Sequence, residues 1–194
     1  MVYTQKIQNA IQFSLKTHEI HRKQKRKGKD IPYIVHPLQV GLILAKAGCD
    51  EDIIAAGILH DTIEDSVDEM KVTKSIIIDE FGSRVADIVA SVSDSDKSLS
   101  WEERKAQVIE HIGHFSNDSV LVKSADVIAN ATELFADIKE HGESVFKRFN
   151  APKERILSNY HNVITALILR WPGNPLASDL QNIVHILDDT SLKT

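Results

Sequence analysis

The sequence predicts an all-α fold of about eight to ten helices. Apolar residues recur at helical spacing along nearly all of the 194 residues, and no alternating strand pattern survives comparison with the helical one. Glycine (8 residues) and proline (5 residues) are scarce, so the chain has few turns. A fold of many strands would need more turns, which leaves helices as the dominant element.

The first two predicted helices are separated by a basic loop. An apolar stripe at helical spacing predicts a helix over residues 3–22, and residues 22–29 then carry six positive charges. We expect residues 32–37 to be extended, because a residue before proline is pushed out of the α region. Pro37 suits the first position of the second helix, which should end near Gly48.

The middle of the chain predicts four more helices. Asp50 is a good N-cap residue for a very apolar third helix that extends to Glu64. Ser100, followed three residues later by Glu103, has the spacing of a capping box. The other helices of this part are predicted over residues 73–82, 84–92 and 101–112, with a loop at 93–100.

The last part of the chain predicts three further helices, over residues 118–140, 152–170 and 177–188. A Trp-Pro-Gly-Asn-Pro segment at 171–175 interrupts the pattern before the last of them. We therefore expect residues 1–170 to form one domain and residues 171–194 to form a helical appendage packed on it. The last helix is amphipathic and could instead pair with a second copy, so a homodimer is possible.

Composition narrows the classes of function. The formal net charge is −5, whereas neutralising nucleic-acid phosphates needs a basic surface, so no nucleic-acid partner is expected. The single cysteine, Cys49, excludes an internal disulfide and a cysteine-based zinc site, and it suits a reducing compartment. No segment reaches the roughly 18 apolar residues of a membrane span, and the N-terminus lacks a signal-peptide pattern. We expect a soluble, cytoplasmic protein without a membrane partner.

The dipeptide His60-Asp61 at the end of the apolar third helix is a candidate metal site. Neighbouring helix positions project about 100° apart, so both side chains can reach one ion, and their chemistry suits Mn²⁺, Fe²⁺ or Zn²⁺. Glu64 and Asp65 follow one turn later, where they could orient or deprotonate a water molecule at the metal. Such a dipeptide is also expected by chance, and the alternative is a solvated polar helix end.

Two further positions carry polar side chains in apolar surroundings. Asp126 lies in an apolar run, and because burial of an unpaired carboxylate is costly, it should have a metal or another partner. Asn130 shares its helix face, and a polar stripe that includes Lys123 is the alternative. His36 is fixed next to Pro37 just before a helix, although a lone histidine is more often structural.

The basic loop around Arg26 and Lys27 is a local concentration of positive charge in an acidic chain. It could steer a phosphorylated small molecule towards the protein. Arginine is suited to bidentate contacts with phosphate or to stacking on a base. The alternative is a solvated loop with no ligand.

Together these residues resemble the HD-domain metal-dependent phosphohydrolases and, more narrowly, the hydrolase domain of RelA/SpoT proteins and the small alarmone hydrolases. The resemblance covers about residues 3–170 and implies an HD-domain helical fold. Its motifs are Arg26-Lys27, the segment from Pro32 to Leu38, the segment from Ile58 to Asp65, Phe81-Gly82, Asp96 to Leu99 with Glu103 to Lys105, and Val122 to Asp126 with Asn130.

The resemblance also implies a reaction and a site. The reaction is hydrolysis of the 3′-pyrophosphate of (p)ppGpp to GDP or GTP and pyrophosphate, which lowers the alarmone of the stringent response. One Mn²⁺ per chain, or another divalent metal, would be bound by His36, His60, Asp61 and Asp126. Glu64 and Asp65 match the catalytic acidic pair. Candidate contacts to a guanosine nucleotide are Arg26, Lys27, Asn130, Lys97, Arg104, Lys123 and Tyr160.

Three residues depart from the family pattern on the nucleotide side. Val127 and Ala129 replace a basic residue and an aromatic residue or histidine, and Glu133 stands where many members carry threonine. These departures favour one alternative, an HD phosphohydrolase that acts on another nucleotide or phosphate ester. A second alternative is a non-catalytic nucleotide- or partner-binding module, against which the intact pair Glu64-Asp65 argues.

Overall fold

The computed structural model describes residues 3–93 and 99–191. Within these residues the fold is all-α with ten α-helices, which confirms the predicted class. The helices are α1 (Gln5–Leu15), α2 (Val35–Lys46), α3 (Glu51–Leu59), α4 (Thr62–Asp65), α5 (Lys74–Phe81), α6 (Ser83–Val92), α7 (Trp101–Ile112), α8 (Asn117–His141), α9 (Lys153–Arg170) and α10 (Ala177–Ser191).

Short non-α elements connect some of these helices. A π-helical segment, Lys16–His21, continues α1, and 3₁₀ turns form at Asp68–Met70 and Gly142–Arg148. In the described ranges, the β-type pairing is limited to one isolated antiparallel bridge between Lys25 and Pro32. This bridge closes the basic loop on itself just before α2.

Local sequence explains where several helices begin. Asp50 caps α3 by accepting hydrogen bonds from the N–H groups of Asp52 and Ile53. The predicted capping box at α7 is present, because Ser100 and Glu103 satisfy each other's backbone N–H groups. At Gly82 the chain has φ of 91°, a conformation that favours glycine, and α5 ends there immediately before α6.

Two apolar clusters make the core, and α8 contributes to both. The first cluster lies between α1, α2, α3, α5 and α6, and the second lies between α7, α9 and α10. On α8, Leu121 and Ala125 belong to the first cluster, whereas Val127 and Leu134 belong to the second. Asp126 therefore lies where the two clusters meet.

Helices α2 and α3 approach closely. A Cβ atom added at Gly57 of α3 would lie 2.3 Å from Cδ1 of Leu44, and one added at Gly41 of α2 would lie 2.7 Å from Cγ1 of Ile58. Contacts this short require glycine unless the neighbouring side chains shift. The close approach brings the beginning of α2 next to the end of α3.

The structure corrects three predicted boundaries. Residues 32–37 are not extended throughout, because α2 begins at Val35. Pro37 lies in the first turn, where its missing N–H has no intrahelical acceptor to lose. The predicted first helix changes to the π-helical segment after Leu15.

The third correction concerns the end of α3, which stops at Leu59 rather than Glu64. His60 donates through Nδ1 to the carbonyl oxygen of Gly57 at 2.7 Å, and the Thr62 hydroxyl donates to that of Leu59 at 2.7 Å. These side chains bond carbonyls that a continuous helix would use for its own N–H groups. The chain therefore turns at His60 and Asp61 before α4.

The last helix packs on the rest of the fold. Leu180, Ile183 and Leu187 of α10 are buried in the second cluster, against α8 and α9. The buried Asn174 side chain also donates to Oγ of Ser124 at 2.8 Å. The division of the chain after residue 170 stays a prediction, as does a homodimer. Among the helices described, none is both long and apolar enough to cross a membrane.

Candidate metal centre and active site

Four side chains from three parts of the fold converge at one point. His36 comes from the first turn of α2, His60 and Asp61 from the turn between α3 and α4, and Asp126 from the middle of α8. Nε2 of His36 lies 3.3 Å from both Nε2 of His60 and Oδ1 of Asp126, and Nε2 of His60 lies 3.0 Å from Oδ2 of Asp61. The structure thus brings together all four predicted metal ligands.

The donor set fits a divalent cation. Because Nδ1 of His60 donates to the Gly57 carbonyl, its Nε2 can present a lone pair to the centre. His36, His60 and Asp126 are all buried, and their ligand atoms lie within 4.8 Å of one another. Mixed imidazole and carboxylate ligands suit Mn²⁺, Fe²⁺ or Zn²⁺.

The electrostatics of the centre favour positive charge. Burial alone would lower the pKa of His60, but the Asp61 and Asp126 carboxylates outweigh it and raise this pKa to about 9. Burial would raise the pKa of Asp126, yet Lys123 and the two histidines hold it well below its usual range. A site that stabilises a bound proton this strongly also attracts a metal cation, and the two compete.

Tyr33 is a residue of the centre to which sequence reasoning assigned no role. Its hydroxyl donates to Oδ2 of Asp61 at 2.5 Å, and the centroid of its ring lies 5.8 Å from that of the His36 ring. Burial and the Asp61 charge raise the pKa of Tyr33 well above its usual value, so it remains a donor. Its place three residues before His36 is the signal that could have indicated it.

The predicted pair Glu64 and Asp65 divides between two environments. Glu64 lines a cavity of about 450 Å³ together with Lys27, Arg104 and Tyr160, three of the predicted substrate contacts. Asp65 instead faces the π-helical segment and the residues that follow it. One of these, Gln24, donates to Oδ2 of Asp65 at 2.8 Å. The predicted contact Lys97 lies outside the described residues.

The other predicted contacts surround Asp126, one of the predicted metal ligands. Lys123 Nζ lies 2.8 Å from Oδ2 of Asp126, and Nδ2 of Asn130 donates to Oδ1 at 2.6 Å. Oδ1 of Asn130 in turn accepts from Nη2 of Arg26 at 2.7 Å. Both oxygens of Asp126 are therefore oriented by neighbouring side chains.

Comparison with known proteins agrees with this geometry. The sequence profile described as the HD domain matches residues 10–156, a span that contains all four converging side chains. The chain belongs to the HD-domain family. Together with the His–His–Asp cluster, membership of this family indicates a divalent-metal site.

Two curated relatives of this HD domain carry the name of one activity. The guanosine-3′,5′-bis(diphosphate) 3′-pyrophosphohydrolase MESH1 of Danio rerio is 42% identical over 119 residues, which are 60% of this chain and 63% of that protein. The Aquifex aeolicus guanosine-3′,5′-bis(diphosphate) 3′-pyrophosphohydrolase is 34% identical over 147 residues, 75% of this chain and 20% of that protein. The alignments thus span less than two thirds of either relative.

Solved structures show the same architecture. A metazoan ortholog of SpoT, described as hydrolysing ppGpp, superposes with a TM-score of 0.76 at 26% identity and covers 95% of this chain and 96% of its own. A Listeria monocytogenes protein superposes with a TM-score of 0.68 at 31% identity and covers 78% of this chain and 97% of its own.

An ion cluster lies behind the metal centre of this HD domain. Oε2 of Glu133 accepts from Nε and Nη2 of Arg26 at 2.9 and 2.7 Å, and its Oε1 lies 2.7 Å from Lys29 Nζ. Asp137, one turn later on α8, pairs with Lys29 and Arg148, each at 2.6 Å. Sequence reasoning noted Glu133 as a departure from the family but did not foresee its partners.

Proposed function

We propose that this HD domain is a Mn²⁺-dependent hydrolase that removes the 3′-pyrophosphate of (p)ppGpp and yields GDP or GTP and pyrophosphate. It would thereby lower the alarmone of the stringent response in the cytoplasm. The observation that carries the proposal is the convergence of the four predicted ligand side chains, together with a cavity lined by cationic residues and by Glu64, three residues after Asp61. The names of the curated relatives support it.

In this proposal His36, His60, Asp61 and Asp126 hold the metal. A divalent cation there would neutralise phosphoryl charge and lower the pKa of a water molecule. Tyr33 fixes the orientation of Asp61, and Lys123 and Asn130 fix that of Asp126. Ligands oriented in this way need little rearrangement when the metal binds.

Glu64 is the proposed general base. It lies on the cavity wall one turn beyond His60, so its carboxylate can accept a proton from the attacking water and orient that water in line with the leaving group. Asp65 is its proposed acidic partner. Because Asp65 is held by Gln24 on the side of the π-helical segment, it would act from a fixed position.

The nucleotide would be bound by cationic side chains around the cavity. Lys27 and Arg104 line it, and Nε of Arg104 is buried without a hydrogen-bond partner in the described structure. Unsatisfied donors of this kind are suited to phosphate oxygens. Tyr160 offers an aromatic wall, and Lys97 stays a proposed phosphate contact.

A second candidate is hydrolysis of another nucleotide or phosphate ester at the same centre. The observation that favours it is the ion pair between Glu133 and Arg26, which neutralises one of the predicted contacts to the guanosine nucleotide. A panel of purine and pyrimidine nucleotides, assayed with Mn²⁺ for phosphate and pyrophosphate release, would separate the two candidates.

The direct test adds Mn²⁺ back to metal-stripped protein and follows GDP and pyrophosphate formed from ppGpp. We expect turnover only with metal, its loss in Asp61→Ala, and its retention in Asp68→Ala, which removes an exposed aspartate. Metal binding without turnover would overturn the proposed substrate. Full activity of Asp61→Ala would overturn the proposed metal centre.

A further inference from the structure

The π-helical segment buries a histidine close to the candidate active site. Each π turn holds more residues than an α turn, which changes the face on which the following side chains emerge. Thr17 and His18 are both buried here, whereas Ile20 is exposed. The ring of His18 lies with its centroid 5.0 Å from that of Tyr33, which contacts the metal ligand Asp61.

A chain of hydrogen bonds leads from this histidine to Asp65. Nδ1 of His18 lies 2.9 Å from Oε1 of Gln24, and Nε2 of Gln24 donates to Oδ2 of Asp65 at 2.8 Å. Because a carboxylate can only accept from the amide nitrogen, the amide oxygen of Gln24 must face His18. His18 therefore carries its proton on Nδ1, and burial lowers its pKa, which keeps the ring neutral near pH 7.

Gln24 is also held by its backbone. Its N–H donates to the carbonyl oxygen of His18 at 2.8 Å, and its own carbonyl oxygen accepts from the N–H of Tyr33 at 2.9 Å. Arg22 then donates to the backbone oxygen of Asp65 at 2.6 Å. The segment that follows the π turn thus fixes both the main chain and the side chain of Asp65.

We propose that Gln24 is a positioning residue that orients the Asp65 carboxylate, and that His18 orients Gln24. The inference rests on the proposed function, because the role of Asp65 belongs to it. Groups that orient metal-binding side chains typically contribute about 10- to 100-fold to metal affinity or activity, and we expect an effect of similar size for a group that orients an acidic residue of the site. Gln24 and His18 would act on turnover through Asp65 rather than on metal or nucleotide binding.

The first test compares Gln24→Leu with Gln12→Leu, which makes the same change at an exposed position of α1. We expect Gln24→Leu to lower kcat about 10- to 100-fold with little change in KM or in Mn²⁺ affinity, and Gln12→Leu to behave as wild type. An unchanged kcat, or a loss confined to KM, would overturn the proposal.

A double-mutant cycle with Asp65→Ala distinguishes positioning from general damage. If Gln24 acts through Asp65, Gln24→Leu lowers kcat no further once Asp65 has been replaced by alanine. An equal loss in both backgrounds would overturn the proposal.

Variants of His18 provide a rescue experiment that remains informative if Gln24→Leu does not fold. The amide nitrogen of asparagine is bonded to Cγ, as is Nδ1 of histidine, so His18→Asn can still donate to Gln24. We expect His18→Leu to lower kcat and His18→Asn to recover most of it. Equal activity of the two variants would contradict a role for the Nδ1 donor.

One readout does not depend on activity. If the wild-type protein with Mn²⁺ releases no pyrophosphate from ppGpp, the proposed function fails, and the positioning is measured instead in crystal structures. We expect the Asp65 side chain to leave its wild-type rotamer in Gln24→Leu. An unchanged Asp65 orientation in that variant would overturn the positioning proposal, whatever the substrate is.

Discussion

The hydroxyl group of Tyr33 and the ring of His60 meet at one oxygen atom of Asp61. Tyr33 donates to Oδ2 at 2.5 Å, and Nε2 of His60 lies 3.0 Å from the same atom. The tyrosine thus fixes the carboxylate oxygen that faces the metal centre. Hydrogen-bond donors behind metal ligands commonly set ligand orientation and metal affinity.

Tyr33→Phe should therefore weaken metal binding. We expect Mn²⁺ affinity to fall about tenfold or more, because Asp61 loses the donor that orients it. Equilibrium dialysis of the metal-stripped protein measures this change. Tyr3→Phe is the matched control, since Tyr3 is exposed. Equal affinities of Tyr33→Phe and wild type would show that Asp61 is oriented without the tyrosine.

Mn²⁺ should raise the thermal stability of the protein. At a metal concentration 100 times Kd, binding adds about 2.7 kcal/mol to the free energy of unfolding. For a domain of this size, that corresponds to a rise in Tm of roughly 5 to 11 °C. We expect His60→Ala to lose the shift and His185→Ala, at an exposed position of α10, to keep it. A full shift in His60→Ala would place the metal elsewhere.

Gly57→Ala should destabilise the contact between α2 and α3. The added methyl group would lie 2.3 Å from Cδ1 of Leu44, so the helices or the leucine must move. We expect a loss of about 1–3 kcal/mol in the free energy of unfolding, measured by urea denaturation. Ser75→Thr adds a methyl group at an exposed position and should have little effect. Equal stability of both variants would mean that Leu44 adjusts freely.

The ion cluster predicts a loss of stability in acid. Burial would raise the pKa values of Glu133 and Asp137, but their basic partners hold these below the usual values of 4.5 and 3.8. Carboxylates with lowered pKa values stabilise the folded state above those values, so this contribution is lost as the pH falls through 4.5 and below. Urea denaturation between pH 3 and 7, a range chosen to span roughly these transitions, measures the slope.

Asp137→Asn tests this origin of the acid sensitivity. We expect the variant to be less stable than wild type at pH 7 and to show a shallower dependence of stability on pH, because one of the two titrating carboxylates is gone. Asp79→Asn, at an exposed position of α5, is the control and should retain the wild-type slope. An unchanged slope in Asp137→Asn would assign the acid sensitivity to other groups.

Features encoded by near neighbours could be predicted from the sequence. The capping box of Ser100 and Glu103 and the N-cap at Asp50 depend on residues three positions apart, and both are present. The order of the four predicted ligand residues likewise matches a family motif. The turn at His60 could not be predicted, because it depends on hydrogen bonds from side chains to backbone carbonyls, which helical periodicity does not reveal.

Side-chain contacts between distant parts of the chain could not be predicted from the sequence. Arg26 and Glu133 are 107 positions apart, and no periodicity or local propensity relates them. The bond from Gln24 to Asp65 spans 41 positions and depends on a π turn that a search for a 3.6-residue period does not detect. These pairs form only when the chain folds, and they lie around the candidate site.

The position of α8 in the core has a consequence for how the domain loses its structure. Since this one helix supplies apolar side chains to both clusters, neither cluster can stay intact once α8 has detached. The two halves should therefore melt in a single cooperative transition, without a half-folded form in which the four predicted metal ligands stay together. Amide hydrogens in the middle of α8, around Asp126, should accordingly be among the last to exchange with solvent.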